Sequence, residues 1–451
     1  MATLNTLPSG LSTDKDLRIS SVGIANFDYE DTHGNRISPR KVTEMHYYSE
    51  QAGDQDDWIV LKVTDPAHDA NVWVRFQPDS EGYLGDFAMD HELAMPGDAA
   101  LRASLRFDNS IEYKDAIETR SAVFKQCKGA GAEAGSTLCA SRYAEMLSLR
   151  IGQGVGRCTP QDLCEIWPAL PDSDRRLHAF YWYEKTDFSG IEYIILHVVG
   201  SSSYTQTGQN WWVRLERDGS QATDEAVISK NRRLVELSES KQTRAIVFHD
   251  GIPFYNVIQV LQGTPTGFDM TTEDCWYYSS TLAHRLSAEV GDDQFECPTE
   301  DLVEIWSGER GAQLFVNRIQ WFQDGEGPDY LVLNISATKN DGHGLWVRLG
   351  QDPVIGSLVD TACVTRNRRS LLRSGPLMNA DITFSTLRFG KVKQVLGQLN
   401  RDLGNMLSFD ENQVSKAVMT LRRLTEMQDI DCYWVDGDST LLSDSLSQLQ
   451  F

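Results

Sequence analysis

Cysteine is scarce in this chain and badly placed for a framework. The 451 residues include eight cysteines, none in a CxxC pair, which argues against a disulfide-built scaffold and for reduced thiols. Long apolar runs are missing too. No stretch approaches the twenty or so residues needed to span a bilayer, and the polar residues 1–16 lack the basic flank and apolar core of a secretory leader. A membrane span is therefore not expected, and a cytoplasmic location is. Positive charge is short: 42 Lys and Arg face 65 Asp and Glu, a formal charge of −23. That field repels phosphate backbones, so nucleic acid is not an expected partner. No HExxH, zinc-type Cys/His spacing or GxSxG elbow occurs. Asp429-Ile430-Asp431 and Asp436-Gly437-Asp438 lack further ligands at calcium spacing. No metal and no cofactor is called for.

What the chain does have is self-similarity. Trp73-Val74-Arg75-Phe76, Trp212-Val213-Arg214-Leu215 and Trp346-Val347-Arg348-Leu349 are near copies, 139 and 134 residues apart (212 − 73 and 346 − 212). Each follows a second apolar run: Trp58-Ile59-Val60-Leu61, Tyr193-Ile194-Ile195-Leu196 and Tyr330-Leu331-Val332-Leu333. Cys158-Thr159-Pro160-Gln161-Asp162-Leu163 matches Cys297-Pro298-Thr299-Glu300-Asp301-Leu302. Ser229-Lys230-Asn231-Arg232-Arg233 matches Thr365-Arg366-Asn367-Arg368-Arg369. Recurrence in one order at one period predicts three related modules, at 17–171, 172–309 and 310–451.

Within a module the aromatic and β-branched runs read as an antiparallel meander. In the second these are 179–183, 192–199 and 211–216. The later half turns helical. Tyr278, Leu282, Ala283, Leu286 and Val290 fall on one stripe at a 3.6-residue period, behind Thr271, Thr272 and Asp274 as starting residues. Thr159-Pro160-Gln161-Asp162 opens another short helix. The expected fold class is α+β: three tandem modules, each a strand meander followed by helices. The segment 128–135 reads as a loop, and 152–156 as a helix stop and linker. Asn334-Ile335-Ser336 is a glycosylation sequon inside an expected strand. Arg75, Arg214 and Arg348 should each pair with a carboxylate.

Chemistry could lie at Cys275, in the first turn of the second module's helix, where free N–H groups favour a thiolate. His197 stands on a strand of that module, where the sister modules have Lys62 and Asn334. A strand histidine and a helix-start cysteine are the minimal base and nucleophile of thiol hydrolases. This order, strand His, then strands, then helix-start Cys before Trp276, Tyr277 and Tyr278, resembles the permuted papain-like group that includes lecithin:retinol acyltransferase and the NlpC-type peptidases. The modules are also similar to uncharacterised proteins of mushroom-forming fungi that carry an Asn-Cys-Trp-aromatic motif. The resemblance implies Cys275 as nucleophile and His197 as base, although Asp274 stands where the motif has Asn. Against it, Cys275 lies three and seven residues before Tyr278 and Leu282, on the core stripe, and free cysteine is among the most buried residue types.

Arg232, Arg233, Arg368 and Arg369 are basic islands suited to a phosphate or carboxylate ligand, with pairing to nearby acids as the plainer reading. The preferred function is a non-catalytic binding or scaffold protein, for an unidentified protein or small-molecule ligand. The alternatives are a cysteine-dependent amide or ester hydrolase or acyltransferase in the second module, and a pocket for a small apolar metabolite at a module interface.

Overall fold

The computed structural model describes residues 40–50, 57–65, 70–76, 86–88, 90–95, 99–129, 136–151, 154–168, 174–187, 190–202, 205–217, 224–264, 275–290, 293–306, 314–323, 330–336, 344–351, 360–373, 376–389 and 433–434. In chain order the elements begin with β1 (Lys41–Glu50), β2 (Asp57–Asp65), β3 (Ala70–Phe76), β4 (Asp86–Ala88), α1 (His91–Ala94), β5 (Ala99–Glu112), α2 (Tyr113–Gly129), α3 (Ser136–Leu149), β6 (Val155–Cys158) and α4 (Pro160–Ile166). Then come β7 (Arg176–Lys185), β8 (Glu192–Ser202), β9 (Thr205–Arg217), β10 (Asp224–Ser229), α5 (Arg232–Val235), β11 (Ser240–Pro253), α6 (Phe254–Gln262), α7 (Cys275–Ala288), β12 (Gln294–Pro298) and α8 (Thr299–Trp306). The last are β13 (Phe315–Gln323), β14 (Tyr330–Ser336), β15 (Leu345–Gln351), β16 (Asp360–Thr365), α9 (Arg368–Leu371), β17 (Leu377–Arg388) and β18 (Tyr433–Trp434).

The chain divides into two compact units. One comprises Met1–Arg175, His197–Ser240 and Leu261–Phe268; the other comprises Arg176–Leu196, Lys241–Val260 and Asp269–Phe451. In the first unit the strands pair in the order β4-β3-β2-β1-β5-β6-β10-β9, every pair antiparallel. In the second the order is β7-β11-β12-β16-β15-β14-β13-β17-β18.

These orders overturn the expected fold class. The strands do not close into three α+β modules, each a meander finished by its own helices; they join into extended antiparallel sheet that runs through the sequence repeats. The physical cause is a pair of short strands. β6 bonds β5 on one side and β10 on the other, and β12 likewise lies between β11 and β16. The linker expected at 152–156 is in part strand, since Val155 and Gly156 belong to β6. A four-residue strand with a glycine carries almost no periodicity, but its two free edges satisfy the backbone groups of both neighbours.

Helices α2, α3 and α4 pack on β1, β2, β5 and β10, while the short α1 and α5 pack on β3–β4 and β9–β10. Gly156 marks the side taken by α3: a Cβ there would lie 2.7 Å from Ile151 Cδ1 and 3.1 Å from Leu105 Cδ1. Side chains alternate along a strand, so Arg157 belongs to the opposite face. In each unit a buried tryptophan ties the short helix before the next repeat to a longer helix. Trp167 Nε1 donates to Ser148 Oγ at 2.6 Å in the first unit, and Trp306 Nε1 to Ser287 Oγ at 2.7 Å in the second. Tyr278, Leu282, Ala283, Leu286 and Val290 are all buried. Thr159 caps α4 in a reciprocal capping box with Asp162, which satisfies two otherwise orphaned donors.

The expectation of reduced thiols needs a correction as well. Cys127, near the end of α2, is disulfide-bonded to Cys139 in α3, with Cα atoms 6.2 Å apart. Cys158, Cys164, Cys275, Cys297 and Cys363 are not in a disulfide. No helix of the described residues is long and apolar enough to cross a membrane. Of the loop expected at 128–135, Lys128 and Gly129 belong to α2; residues 130–135, with Thr271, Thr272, Asp274, and Asp429 to Asp438 apart from the two residues of β18, lie outside the described residues.

Candidate functional site

The three Trp-Val-Arg strands are β3, β9 and β15. Their arginines do the same thing, each reaching the end of a four-residue helix. Arg75 Nη1 donates to Met95 O at 3.3 Å, Arg214 Nη1 to Val235 O at 2.9 Å, and Arg348 Nη1 to Leu371 O at 3.2 Å. These carbonyls stand at helix C-termini, where a cation is favoured. The expected carboxylate pairing is seen at Arg214, which is 4% exposed and also meets Glu216 and Glu225, at 3.1 and 3.2 Å.

The same short helices hold the paired arginines singled out from the sequence. Asn231 and Asn367 cap α5 and α9, each accepting from the second Arg of its pair, Arg233 N and Arg369 N, at 3.1 Å. Ser229 and Thr365 accept in turn from the Asn N–H groups at 3.1 Å. Arg232 lies over the Trp212 ring at 5.2 Å and pairs with Glu236 at 2.7 Å. Arg368 lies over Trp346 at 5.4 Å and donates to Gln320 Oε1 at 2.9 Å. Arg233 and Arg369 are exposed. The first Arg of each pair is thus engaged with its own neighbourhood, and the second supplies a backbone N–H to a cap.

Cys275 is the first residue of α7, half-buried, with Sγ 3.5 Å from Gly190 O. His197 belongs to the other unit. Its ring stacks on Trp212 at 4.2 Å, with 8° between the planes, and Nε2 is 2.8 Å from Asn210 Oδ1. Each candidate has a neutral polar partner of its own.

The densest collection of chemical groups is elsewhere, on the first unit's face that carries Arg157. Residues facing across antiparallel strands put their side chains on one side, so the registers Lys62↔Glu44, Glu44↔Arg106 and Arg106↔Arg157 lay a charged row across four strands. A register shift between Val42 and Glu44 marks a β-bulge at Thr43, a device that re-aims the following side chain. The row borders a cleft of about 380 Å³ lined by Glu44, His46, Ser104, Arg106, Arg157, Cys158, Thr159, Asp162, Glu216, Asp224 and Glu225, with Leu105.

Most of these charges are matched. Arg157 Nε is 2.7 Å from Asp108, and its Nη1 is 3.1 Å from Glu225. Burial opposes the charge of Arg157, but the hydrogen bonds from those carboxylates outweigh it and raise its pKa. Lys62 holds Glu44 at 2.8 Å; burial alone would raise the Glu44 carboxyl, and Lys62 brings it below the usual range. Burial lifts Asp162 against the hydrogen bonds from Thr159 and Ser104. Burial also pushes the Cys158 thiol well up, with Asp162 adding to it, which favours the thiol over the thiolate. Arg106 is exposed, and no carboxylate of the described residues pairs with it.

At the other side of Glu44 the row ends in an aromatic nook. His46 Nδ1 lies 3.0 Å from His91 Nε2 and 3.4 Å from Tyr48 Oη, and Tyr48 Oη is 3.1 Å from His91 Nε2. Trp73 packs against both rings, at 4.3 Å from His91 and 5.4 Å from His46. Burial, helped by His91, lowers the His46 pKa.

No family model, curated protein or solved structure matches the chain. The cleft was not foreseen in the sequence. Five strands contribute to it, one to three residues each. The only local hint is the alternation of Glu44 and His46 with the buried Met45 and Tyr47 in β1.

Proposed function

We propose that the protein is a non-catalytic binding protein whose first unit takes a small polar ligand, bearing a carboxylate or phosphate, into the charged cleft. The observation that carries this reading is Arg106. It is a guanidinium beside a cleft in which Glu44, Arg157, Glu216, Asp224 and Glu225 are already in ion pairs, and a paired guanidinium and carboxylate have no charge left for a guest. The volume falls within the range usual for ligand sites, roughly 300–1,000 Å³. A protein partner and a cytoplasmic location belong to the same reading; the Cys127–Cys139 bridge is the feature that weighs against that location. The resemblance to permuted papain-like enzymes supports a second reading, thiol chemistry at Cys275, which the helix-start position favours.

Melting the full chain with inorganic phosphate, glutamate and citrate tests the first reading. At 100 times its Kd a bound ligand adds about 2.7 kcal/mol of stability. At least one anion should raise the melting temperature of the wild type and leave Arg106→Gln unmoved. Equal shifts in both proteins, or none in either, would sink the proposal. Iodoacetamide labelling of the folded protein supplies the second arm. Slow labelling at Cys275 is expected; fast stoichiometric labelling suppressed by His197→Ala would put the thiol enzyme in its place.

A further inference from the structure

The two units build the same nook from different residues. In the second unit, Arg318 faces Asn334, which faces Trp346, as in the first Glu44 faces Lys62, which faces Trp73. Counting two residues on from Glu44 and from Arg318 makes Gln320 the counterpart of His46. Four residues on, Phe322 is the counterpart of Tyr48. His91 and Arg368 each open a four-residue helix behind an Asp or Asn cap, Asp90 and Asn367. The second unit therefore closes its nook with an amide and a guanidinium bonded at 2.9 Å. The first closes it with two imidazoles and a phenol.

From this convergence we propose that His46 Nδ1, His91 Nε2 and the Tyr48 hydroxyl form a binding site for one divalent transition-metal ion of the zinc or copper class. Three observations support it. The three atoms stand 3.0, 3.1 and 3.4 Å apart. Ligands at about 2.0–2.1 Å from a tetrahedral ion are about 3.3 Å from one another, so the triangle closes on an ion with shifts of a few tenths of an ångström. Next, His46 Nε2 faces Glu44 Oε2 at 3.4 Å, and Glu44 is itself held by Lys62. A carboxylate on the far nitrogen keeps the proton there and leaves the Nδ1 lone pair for a metal, the arrangement that orients metal-bound histidines. Finally, Trp73, Val60 and Ala94 pack with Tyr48 in a small apolar cluster, which holds the phenol donor in place.

No three His, Cys, Asp and Glu side chains converge among the described residues; here the third donor is a phenol, and water can complete the coordination. Imidazole nitrogens suit zinc, copper and nickel rather than magnesium or calcium. The inference stands apart from the anion-binding reading, because it needs neither Arg106 nor a guest in the cleft.

The test is competition between EDTA-treated full-length protein and a chromophoric chelator, titrated with Zn²⁺, with Co²⁺ absorption reporting tetrahedral geometry. The wild type should take up one equivalent. His46→Gln and His91→Arg copy the residues of the second unit, so both should melt near the wild type while losing the equivalent. Glu44→Gln should weaken binding by about 10–100-fold, as for other groups that orient a ligand. Absence of stoichiometric uptake by the wild type overturns the proposal. So does uptake that survives in His46→Gln and His91→Arg, since it would belong to others of the nine histidines.

Discussion

Arg217 and Asp224 make the sharpest test of how the first unit is held together. They close the β9–β10 hairpin as facing residues. Two bonds run between them, Nε to Oδ1 at 2.7 Å and Nη2 to Oδ2 at 2.9 Å. Their side chains are 1% and 6% exposed. Removing one partner of such a pair leaves the other charge buried and uncompensated, at a cost of about 3–5 kcal/mol. Removing both, with apolar residues of similar volume, is often close to neutral. Arg217→Met keeps most of the aliphatic stem and should lose about 3–5 kcal/mol, a large share of the roughly 5–15 kcal/mol that a domain has. Asp224→Leu should lose a similar amount, and the double variant less than either. Chemical denaturation of the four proteins gives the coupling directly. If the single losses add to the double within about 0.5 kcal/mol, the pair is not coupled and the reasoning fails. A loss under about 1 kcal/mol in Arg217→Met would put the pair among surface ion pairs and refute it too.

Gly344 precedes β15, and a Cβ there would stand 2.5 Å from the Ile335 carbonyl oxygen; Gly344→Ala must move backbone and should cost about 1–3 kcal/mol, read by thermal melting. His284 is buried in α7 with its pKa lowered to about 4, by burial first and then by Arg285. The unfolded chain therefore binds the proton first as pH falls, so stability present above about 6.5 is lost toward pH 4, on the order of 3 kcal/mol. His284→Gln should flatten the stability profile over that window. An unchanged slope would show that other groups set it.

The strands that were legible in the sequence are those whose own residues carry the signal. Aromatic and β-branched runs at 58–61, 193–196 and 330–333 leave few alternatives to a buried strand, and the stripe from Tyr278 to Val290 few alternatives to a helix. What failed was pairing. Whether Val155-Gly156-Arg157-Cys158 joins β5 to β10 depends on its register with distant strands rather than on its own composition. Arg157 faces Arg106 and Gly156 faces Ile228, partners 51 and 72 residues away (157 − 106 and 228 − 156). The same limit hid the cleft. Glu44, Arg106 and Arg157 meet only because β1, β5 and β6 are neighbours, and each residue alone reads as a solvated charge. The Cys127–Cys139 bridge joins positions 12 apart in sequence, and nothing in the spacing of eight cysteines named that pair.

The three short helices show how one residue type changes what a shared geometry can do. In α5 and α9 the first residue is an arginine lying over a strand tryptophan. A guanidinium keeps its proton throughout the ordinary pH range and has no lone pair to offer. It can press on a ring and donate to Glu236 or Gln320, and there its chemistry ends. In α1 the first residue is His91, packed against Trp73 at 4.3 Å. The imidazole takes the same place on the ring but carries a nitrogen able to accept a proton or an ion. That exchange matters only if a second lone pair is within reach, and His46 puts one at 3.0 Å. His46→Gln leaves the packing of His91 against Trp73 in place and removes only this partner. It therefore separates the packing role of the nook, which should survive, from its capacity to hold an ion, which should not.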